Sequence, residues 1–199
     1  MTQTVYTIGH SNGTTERLLG LLTQHGITAI ADVRSRPYSR FNPQFNREEL
    51  AGALKAAGIG YVFLGQELGA RSDDPSCYRD GRAQYVLMAQ TPLFARGIER
   101  LLAGAEAHRA AILCAEKEPL TCHRSMLIGR YLHERNVGVR HILEDGALEE
   151  HHSLLDRLLA LHGMQEDHLF HSKEERIAMA YEKQAEDIEY SASQVSQPA

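Results

Sequence analysis

The chain has 199 residues, of which 43% are hydrophobic, and it carries a formal net charge of −5. This length is sufficient for one well-filled core with a modest extension, and it is too short to predict two full domains. The negative charge is concentrated at the C-terminus, because residues 164–199 hold eight acidic and three basic residues while residues 1–163 hold 18 of each. Because their acidic and basic residues are equal in number, residues 1–163 lack the broad basic surface that duplex DNA binding needs. A local arginine cluster can still bind a few phosphates.

The cysteine content and the apolar segments indicate where the protein resides. Three cysteines without a repeated spacing do not predict a disulfide framework. The N-terminus does not have the pattern of a signal peptide, and no run approaches the roughly 18 apolar residues of a membrane span. We therefore expect a cytoplasmic protein that makes no contact with a membrane.

Apolar runs alternate with helical patterns along the first 163 residues. The predicted strands cover residues 5–8, 27–33, 61–64, 110–114 and 137–143. Helical patterns lie around residues 18–22, 50–57, 85–88, 93–107, 126–136 and 153–162. This alternation predicts the α/β class, as a single three-layer domain with a mostly parallel, Rossmann-like sheet of about five strands. With right-handed crossovers we expect the strand order 3-2-1-4-5, in which the loops after strands one and four are neighbours.

The composition changes after Gly163, so we expect an α/β domain over residues 1–163 and an acidic tail over residues 164–199. The tail is predicted to contain one helix, over residues 173–190, followed by a disordered end. The apolar residues of this helix form a narrow stripe of Ile177, Tyr181, Ala185 and Ile188. Such a stripe fits a helix packed on its own domain, and it equally fits a homodimer formed through the C-terminal helix.

Polar residues follow the predicted strands, at what should be one edge of the sheet, where α/β proteins bind ligands. His10 and Ser11 follow Gly9, which lets a backbone approach a ligand closely. Asp32 begins an arginine-rich loop, and it could be a base, a metal ligand or the residue that orients Arg34. Arginine binds phosphate and carboxylate, and aromatic rings can stack on bases, although these side chains could also belong to a solvated loop. The loop contains Arg34, Arg36, Tyr38, Arg40, Phe41, Phe45 and Arg47.

Cys122 is predicted to lie near a helix N-terminus, beside His123 and Arg124. Positive potential there favours a thiolate, which could act as a nucleophile or as a metal ligand, while the structural alternative is a small buried thiol. Cys114 ends an apolar strand and is predicted to belong to the core, and Cys77 is predicted to be exposed on the long loop of residues 65–82.

The spacing of these residues limits which cofactors the chain could bind. A divalent transition metal could be bound by Cys122, His123, Glu116 and His10. Cys114 is a fifth candidate ligand, but seven residues separate it from Cys122, unlike the short paired spacings of structural zinc. After the five residues that follow Cys114 the chain has Leu120 and Thr121 where a phosphatase loop needs an arginine, so such a loop does not fit. The glycines of residues 65–69 do not form a dinucleotide fingerprint, and no dinucleotide is expected.

Short motifs occur in order along residues 4 to about 160 and resemble the prokaryotic family called domain of unknown function 488. They are Tyr6-Thr7-Ile8-Gly9-His10-Ser11, residues 32–40 (DVRSRPYSR), Tyr61 with Leu64-Gly65 and Leu68-Gly69, Cys114-Ala115-Glu116 with Pro119, Cys122-His123-Arg124, and His141-Ile142. The resemblance implies a cytosolic α/β domain. It assigns no reaction, and it gives no role to a single residue.

Three functional hypotheses remain open: an enzyme, a binding module, and a transition-metal site that uses Cys122, His123, Glu116 and His10. The first is an enzyme, a hydrolase or transferase, acting on a phosphorylated, nucleotide or nucleic-acid-derived substrate at the carboxyl edge of the sheet. Its candidate catalytic residues are His10, Asp32, Glu116, Cys122 and His123, and its candidate substrate-binding residues are Ser11, Arg34, Arg36, Tyr38, Arg40 and Arg124. The second is a non-catalytic module that senses a nucleotide, a single strand or a metal through the same edge.

Overall fold

Six strands form the central sheet in a computed structural model, which describes residues 3–166 and 169–188. In chain order the strands of the molecule are β1 (Thr4–Gly9), β2 (Ala29–Asp32), β3 (Gly60–Phe63), β4 (Tyr78–Arg79), β5 (Arg82–Ala83), β6 (Ala110–Cys114), β7 (Gly138–Ile142) and β8 (Leu148–Glu150). The sheet order is β3-β2-β6-β1-β7-β8, with β8 antiparallel to β7 and all other pairs parallel. Strands β4 and β5 form a separate antiparallel hairpin. The predicted mostly parallel sheet is therefore confirmed, with an additional antiparallel edge strand.

The predicted strand order 3-2-1-4-5 is wrong, because β6 lies between β1 and β2. Ala111 of β6 is opposite Tyr6 on one side and Ile30 on the other. All five residues of β6 are buried, as expected for an apolar strand that is covered on both faces and paired on both edges. This central position brings the loops after β1, β2 and β6 together at one end of the sheet.

Helices cover both faces of the sheet. They are α1 (Thr15–Gln24), α2 (Arg47–Ala56), α3 (Gly65–Leu68), α4 (Tyr85–Met88), α5 (Pro92–Ala107), α6 (Arg130–His133), α7 (His151–Leu161) and α8 (Lys173–Ile188). Three 3₁₀ turns (Pro43–Phe45, Pro75–Cys77 and Pro119–Thr121) and a π-helix (Arg124–Gly129) complete the described elements. The side chains of Thr14 and Thr91 cap α1 and α5 by accepting hydrogen bonds from Arg17 N and Phe94 N.

Successive residues of the strands point to opposite faces of the sheet, and they belong to two apolar clusters, one on each face. Along β1, Val5 belongs to the cluster formed with α5, α7 and α8, whereas Tyr6 and Ile8 belong to the cluster formed with α1 and α2. The three-layer arrangement follows from this alternation.

The long segment after β3 is more ordered than the sequence indicated, and the predicted exposure of Cys77 is wrong. The segment contains α3, a 3₁₀ turn and the β4–β5 hairpin. Gln84 N donates to the Cys77 carbonyl at 2.7 Å, at the base of the hairpin. The Cys77 thiol is buried in the core. A cysteine in this setting behaves as a small apolar side chain.

The tail contains the predicted helix, which is described over Lys173–Ile188. Its stripe packs against its own domain: Tyr181 is buried in the core, and Ile177, Ala185 and Ile188 are partly buried against it. The predicted disordered end lies outside the described residues. Among the residues that are described, no helix is long and apolar enough to cross a membrane.

Candidate functional site

Three loops meet at the carboxyl end of the sheet because backbone pairing continues beyond the strands. His10 N donates to the Cys114 carbonyl at 3.0 Å, and Ser11 N donates to the Ala115 carbonyl at 2.9 Å. On the other side of β6, Val33 N donates to the Leu113 carbonyl at 3.1 Å. These contacts hold the loops that follow β1 and β2 against the loop that follows β6.

Four side chains at this end form what we call the ligand cluster: Cys114, Glu116, Cys122 and His123. Their potential ligand atoms all lie within 4.8 Å of one another. The Oε2 atom of Glu116 is 2.8 Å from Cys114 Sγ and 3.2 Å from Cys122 Sγ. The Nδ1 atom of His123 is 3.5 Å from Cys114 Sγ and 3.9 Å from Cys122 Sγ.

Local structure around β6 explains how residues so far apart in sequence meet. Cys114 ends the strand, and the Glu118 side chain accepts a hydrogen bond from Leu120 N, which stabilises the 3₁₀ turn. The turn ends at Cys122, whose carbonyl accepts hydrogen bonds from Ser125 N and Met126 N. Cys122 therefore lies at the start of a helical segment, as predicted.

The ring of His123 has a fixed orientation. Its Nε2 atom lies 3.2 Å from the Val33 carbonyl, which can only accept a hydrogen bond, so Nε2 carries a proton. This leaves Nδ1 directed at the two thiols. Burial by itself lowers the pKa of His123, but the hydrogen bond to Cys122 and the negative charge of its thiolate outweigh this effect, so the pKa is raised.

The two thiols of the cluster differ in protonation. Burial raises the pKa of Cys114, and neighbouring Cys122 raises it further. Burial also acts to raise the pKa of Cys122, but hydrogen bonding to Cys114 and the positive charge of Arg124 lower it well below its usual value. The pair therefore combines one thiolate with one thiol. Glu116 is exposed overall, yet desolvation of its carboxylate and the charge of Cys122 raise its pKa.

Arg124 lies behind the ligand cluster and is fully buried. Its Nη1 atom donates to the carbonyl of Glu116, and its Nη2 atom donates to the carbonyl of Lys117 at 2.9 Å. The loop that carries Glu116 also presses against Gly9, where a Cβ atom would lie 1.8 Å from the Glu116 carbonyl oxygen. Arg124 and Gly9 thus position this loop.

Asp32, Arg34 and His10 form a separate buried network. Asp32 accepts hydrogen bonds from Arg34 Nε at 2.9 Å, from Arg34 Nη2 at 2.6 Å and from the Tyr61 hydroxyl at 2.8 Å. Arg34 Nη1 donates to the Phe45 carbonyl at 2.8 Å and to His10 Nε2 at 3.2 Å. Of the three roles considered for Asp32, these contacts match the orientation of Arg34.

His10 stays neutral in this network. Burial lowers its pKa to about 4, and the nearby Arg34 charge acts in the same direction. Its Nδ1 atom lies 2.7 Å from the Ser11 carbonyl, and its ring stacks on Phe45 with centroids 4.2 Å apart. His10 is not one of the four residues of the ligand cluster, so the structure does not bring it together with Cys122 and His123 as a ligand.

A cavity of about 370 Å³ opens beside the ligand cluster. Cys114, Glu116 and His123 line one side of it, and the loop after β2 lines another. From the tail, α8 contributes Asp187 and Ile188. The lining residues of the loop after β2 are Arg34, Ser35 and Arg36, and Arg71 lies near them.

The predicted substrate-binding residues are distributed unevenly around this cavity. Arg36 is exposed, lines the cavity, and makes no hydrogen bond or ion pair to the described part of the chain. Tyr38 donates to Glu48 at 2.9 Å, and Arg40 stacks on Phe41 at 4.7 Å; both lie outside the cavity lining. Ser11 adopts a left-handed conformation with a φ of 51°, and its amide donates to the Ala115 carbonyl.

Two contributions to the site escaped sequence reasoning. Cys114 was expected in the core, and it is buried, but its thiol belongs to the ligand cluster. The i, i+2 spacing of Cys114 and Glu116 was an available signal, because extended backbone directs such residues to the same side. The contribution of Asp187 and Ile188 depends on how α8 docks, for which the sequence carried no signal.

Comparison with known proteins identifies one family. The model of the family described as Domain of unknown function DUF488 matches residues 14–132. This segment includes the whole ligand cluster and the loop after β2, whereas His10, Ser11 and α8 lie outside it. No curated protein and no solved structure matches the chain.

Proposed function

The chain belongs to the DUF488 family, and we propose that it is a metal-dependent enzyme that binds a divalent transition metal at the ligand cluster and an anionic substrate in the adjoining cavity. The observation that carries this proposal is the convergence of two thiols, one imidazole and one carboxylate within 4.8 Å. Hydrolysis is the reaction class that this arrangement supports best.

The distances between the ligand atoms suit tetrahedral coordination. Metal bonds of about 2.3 Å to sulfur and about 2.0–2.1 Å to nitrogen place neighbouring ligands about 3.3–3.8 Å apart. Four of the six separations run from 2.8 to 3.9 Å, and all six lie within 4.8 Å, so side-chain shifts of about 1 Å are sufficient. Thiolate and imidazole ligands favour zinc over magnesium or calcium.

The surroundings of the ligand cluster support the same assignment. Histidines that bind metals commonly donate their other ring N–H to a backbone carbonyl, which is the relation between His123 and Val33. The backbone N–H of Arg124 donates to Cys122 Sγ at 3.4 Å, as is suitable for a thiolate ligand. Metal binding would also require loss of the proton from Cys114.

Glu116 differs from the other three residues, because it is exposed and reaches the cluster from a loop. Catalytic zinc sites use three protein ligands and keep a fourth position for water or substrate, and a metal in such a site activates water. We assign Cys114, Cys122 and His123 as permanent ligands. Glu116 then fills the fourth position in the resting protein or accepts a proton from the attacking water.

The charge distribution supports an anionic substrate. Arg34 is neutralised by Asp32, and Arg124 is occupied by backbone carbonyls. Arg36 is therefore the predicted substrate-binding arginine that is best placed to bind a phosphate or carboxylate in the cavity. More specifically, we propose that the substrate is a phosphorylated compound or a nucleotide.

The burial of Cys122 supports a role as metal ligand over a role as nucleophile. Its side chain is 1% exposed and does not line the cavity, so a substrate cannot reach its sulfur without rearrangement. A metal ligand requires no such access. The cavity next to the cluster likewise favours an enzyme over a module that only senses a metal.

Metal analysis of protein purified without a histidine tag tests the proposal. We expect about one zinc or other transition-metal ion per chain in the wild type, and loss of the ion in Cys114→Ser and Cys122→Ser. The matched control is Cys77→Ser, which changes a buried free cysteine outside the cluster and should retain the ion. Wild-type protein without stoichiometric metal, or cluster variants that retain it, would contradict the proposal.

A further inference from the structure

The C-terminal helix α8 forms part of the site cavity although it lies outside the segment that matches the family. Asp187 and Ile188, at its end, line the cavity. Gln184 is buried, and its Nε2 atom donates at 2.8 Å to the carbonyl of Leu120, two residues before Cys122. α8 therefore forms part of the wall of the cavity.

A buried chain of hydrogen bonds connects α8 to the sheet, and we call it the histidine chain. Thr7 Oγ1 lies 2.8 Å from His141 Nδ1, and His141 Nε2 lies 2.9 Å from His151 Nδ1. His151 Nε2 lies 2.7 Å from the Tyr181 hydroxyl of α8. The chain thus crosses β1, β7, α7 and α8, and all four side chains are at most 3% exposed.

The hydrogen bonds of the histidine chain do not accommodate two charged rings. Each of the four ring nitrogens already has one partner, and two charged rings would direct two protons at each other across the His141–His151 contact. His151 also packs directly on the backbone of the π-helix, because a Cβ atom at Gly129 would lie 3.1 Å from its ring. Both rings are shielded from solvent, because His141 is 0% and His151 is 2% exposed.

The charged groups that face the histidine chain also disfavour an added proton. The Arg130 guanidinium lies over the Tyr181 ring at 4.8 Å, and the rings of His133 and His151 are 4.9 Å apart. The remaining groups are Arg124 and Arg157 near His141, His152 near His151, Glu134 near Tyr181, and His162, which contacts Gln184 of α8. Only Glu134 in this set is anionic, so a buried imidazolium would lack adequate compensation.

We propose that the histidine chain is an acid-sensitive latch that holds α8 on the domain at neutral pH, and that acidification releases α8 and opens the site cavity. Release exposes His151 to water and removes the penalty for charging it. The effect on the active site rests on the proposed function, whereas the release of α8 does not.

The direction of the pH dependence follows from burial. Burial lowers the pKa of His141 and lowers that of His151 to about 3, whereas an exposed histidine titrates near 6.5. Docking of α8 is therefore complete above pH ~6.5 and weakens as the pH falls below it. One histidine that becomes exposed on release changes the docking equilibrium about tenfold per pH unit.

Hydrogen exchange of full-length protein tests the latch. Exchange of the segment Lys173–Ile188, corrected for intrinsic rates, should accelerate about fifteenfold between pH 6.5 and 5.0. The segment Pro92–Ala107 of α5 serves as an internal control for global unfolding and should exchange much more slowly than α8 at both pH values. A flat profile in α8 would overturn the proposal, and so would exchange of α5 at the same rate as α8, because that outcome indicates global unfolding.

Variants assign the effect to the histidine chain. His151→Gln retains hydrogen-bonding groups without a titratable ring, so α8 exchange should lose its pH dependence. His152→Gln, at the adjacent exposed position, is the matched control and should behave as wild type. Tyr181→Phe should accelerate α8 exchange about fivefold at every pH, because it removes one hydrogen bond.

These outcomes are distinguishable from failure of the proposed function. If His151→Gln retains the wild-type pH dependence, the latch is refuted whatever the metal content. If the protein contains no metal but α8 exchange follows the expected profile, the latch stands and the proposed function fails. Should His151→Gln fail to fold, the wild-type profile and the Tyr181→Phe rates decide the question.

Discussion

Single residues around the ligand cluster have different roles, which burial and hydrogen bonding distinguish. Arg124 and Gly9 do not face the cavity, yet both determine where the carbonyl of Glu116 lies. Arg36 faces the cavity and has no partner among the described residues, whereas Arg34 is fully engaged by Asp32, Phe45 and His10. Arg34 and Arg124 therefore stabilise the loops of the site, whereas Arg36 is available to bind a ligand.

Gly9→Ala tests the positioning of the Glu116 loop. The added methyl group would overlap the Glu116 carbonyl, so the loop must move and metal affinity should fall about 10–100-fold. Competition with a chromophoric chelator measures this affinity. The control is Gly20→Ala, because a Cβ atom at Gly20 meets no atom within 4 Å. Unchanged affinity in Gly9→Ala would show that the position of this loop does not matter for the metal.

Arg36→Ala tests anion binding in the cavity. Loss of a charge-assisted contact should weaken the binding of inorganic phosphate about tenfold, measured by calorimetry on the metal-loaded protein. The matched control is Arg40→Ala, an exposed arginine of the same loop that does not line the cavity. Equal weakening in both variants would indicate a general charge effect and not a binding site.

At the scale of elements, the position of β6 explains why the site forms. A parallel strand between β1 and β2 brings three loops to one point, and each loop supplies a different part: the network of His10, the arginines and the ligand cluster. The ion pair of Asp32 and Arg34 then connects the end of β2 to the Phe45 carbonyl. Its side chains are almost completely buried, so it belongs to the framework of the site.

Asp32→Asn tests the structural role of this pair. Removing one charge leaves Arg34 buried without compensation, and the free energy of unfolding should fall by about 3–5 kcal/mol. Denaturant titration at neutral pH measures the loss. Glu144→Gln, which breaks the exposed ion pair with Lys117, should cost less than about 1 kcal/mol. A similar small loss in Asp32→Asn would argue that Asp32 is there for chemistry and not for structure.

At the scale of the whole molecule, buried neutral histidines make stability depend on pH. Burial lowers the pKa values of His10, His141 and His151. The contribution of these neutral rings to the free energy of unfolding is therefore complete above pH ~6.5 and is lost as the pH falls. The pKa of His123 is raised, so its effect on stability has the opposite pH dependence. Its contribution to the free energy of unfolding is complete below pH ~6.5 and is lost as the pH rises.

The free energy of unfolding should therefore decrease on acidification from pH 6.5 to 5.0. Each of the three histidines contributes up to about 1.4 kcal/mol per pH unit in this window. Denaturant titrations at pH 7.5, 6.5, 5.5 and 5.0 measure the slope, and His151→Gln should reduce it by the share of one histidine. A stability that is constant from pH 7.5 to 5.0 would contradict the burial of these rings.

The sequence by itself determined the local features: five strands, the main helices, the helix start at Cys122, and the edge of the sheet where polar residues gather. These depend on periodicity and capping within about ten to fifteen residues, which the sequence displays directly. Membership of the family was likewise evident from ordered motifs, and the match to residues 14–132 confirms it.

Only the tertiary structure decided the strand order, the burial of Cys77, the participation of Cys114 in the ligand cluster and the docking of α8 over the cavity. Each of these depends on contacts between segments far apart in the chain, such as Ala111 with Ile30 or His151 with Tyr181. Periodicity shows which face of an element is apolar, but it does not show which neighbour covers that face. The partners of a side chain are therefore fixed by the assembled molecule.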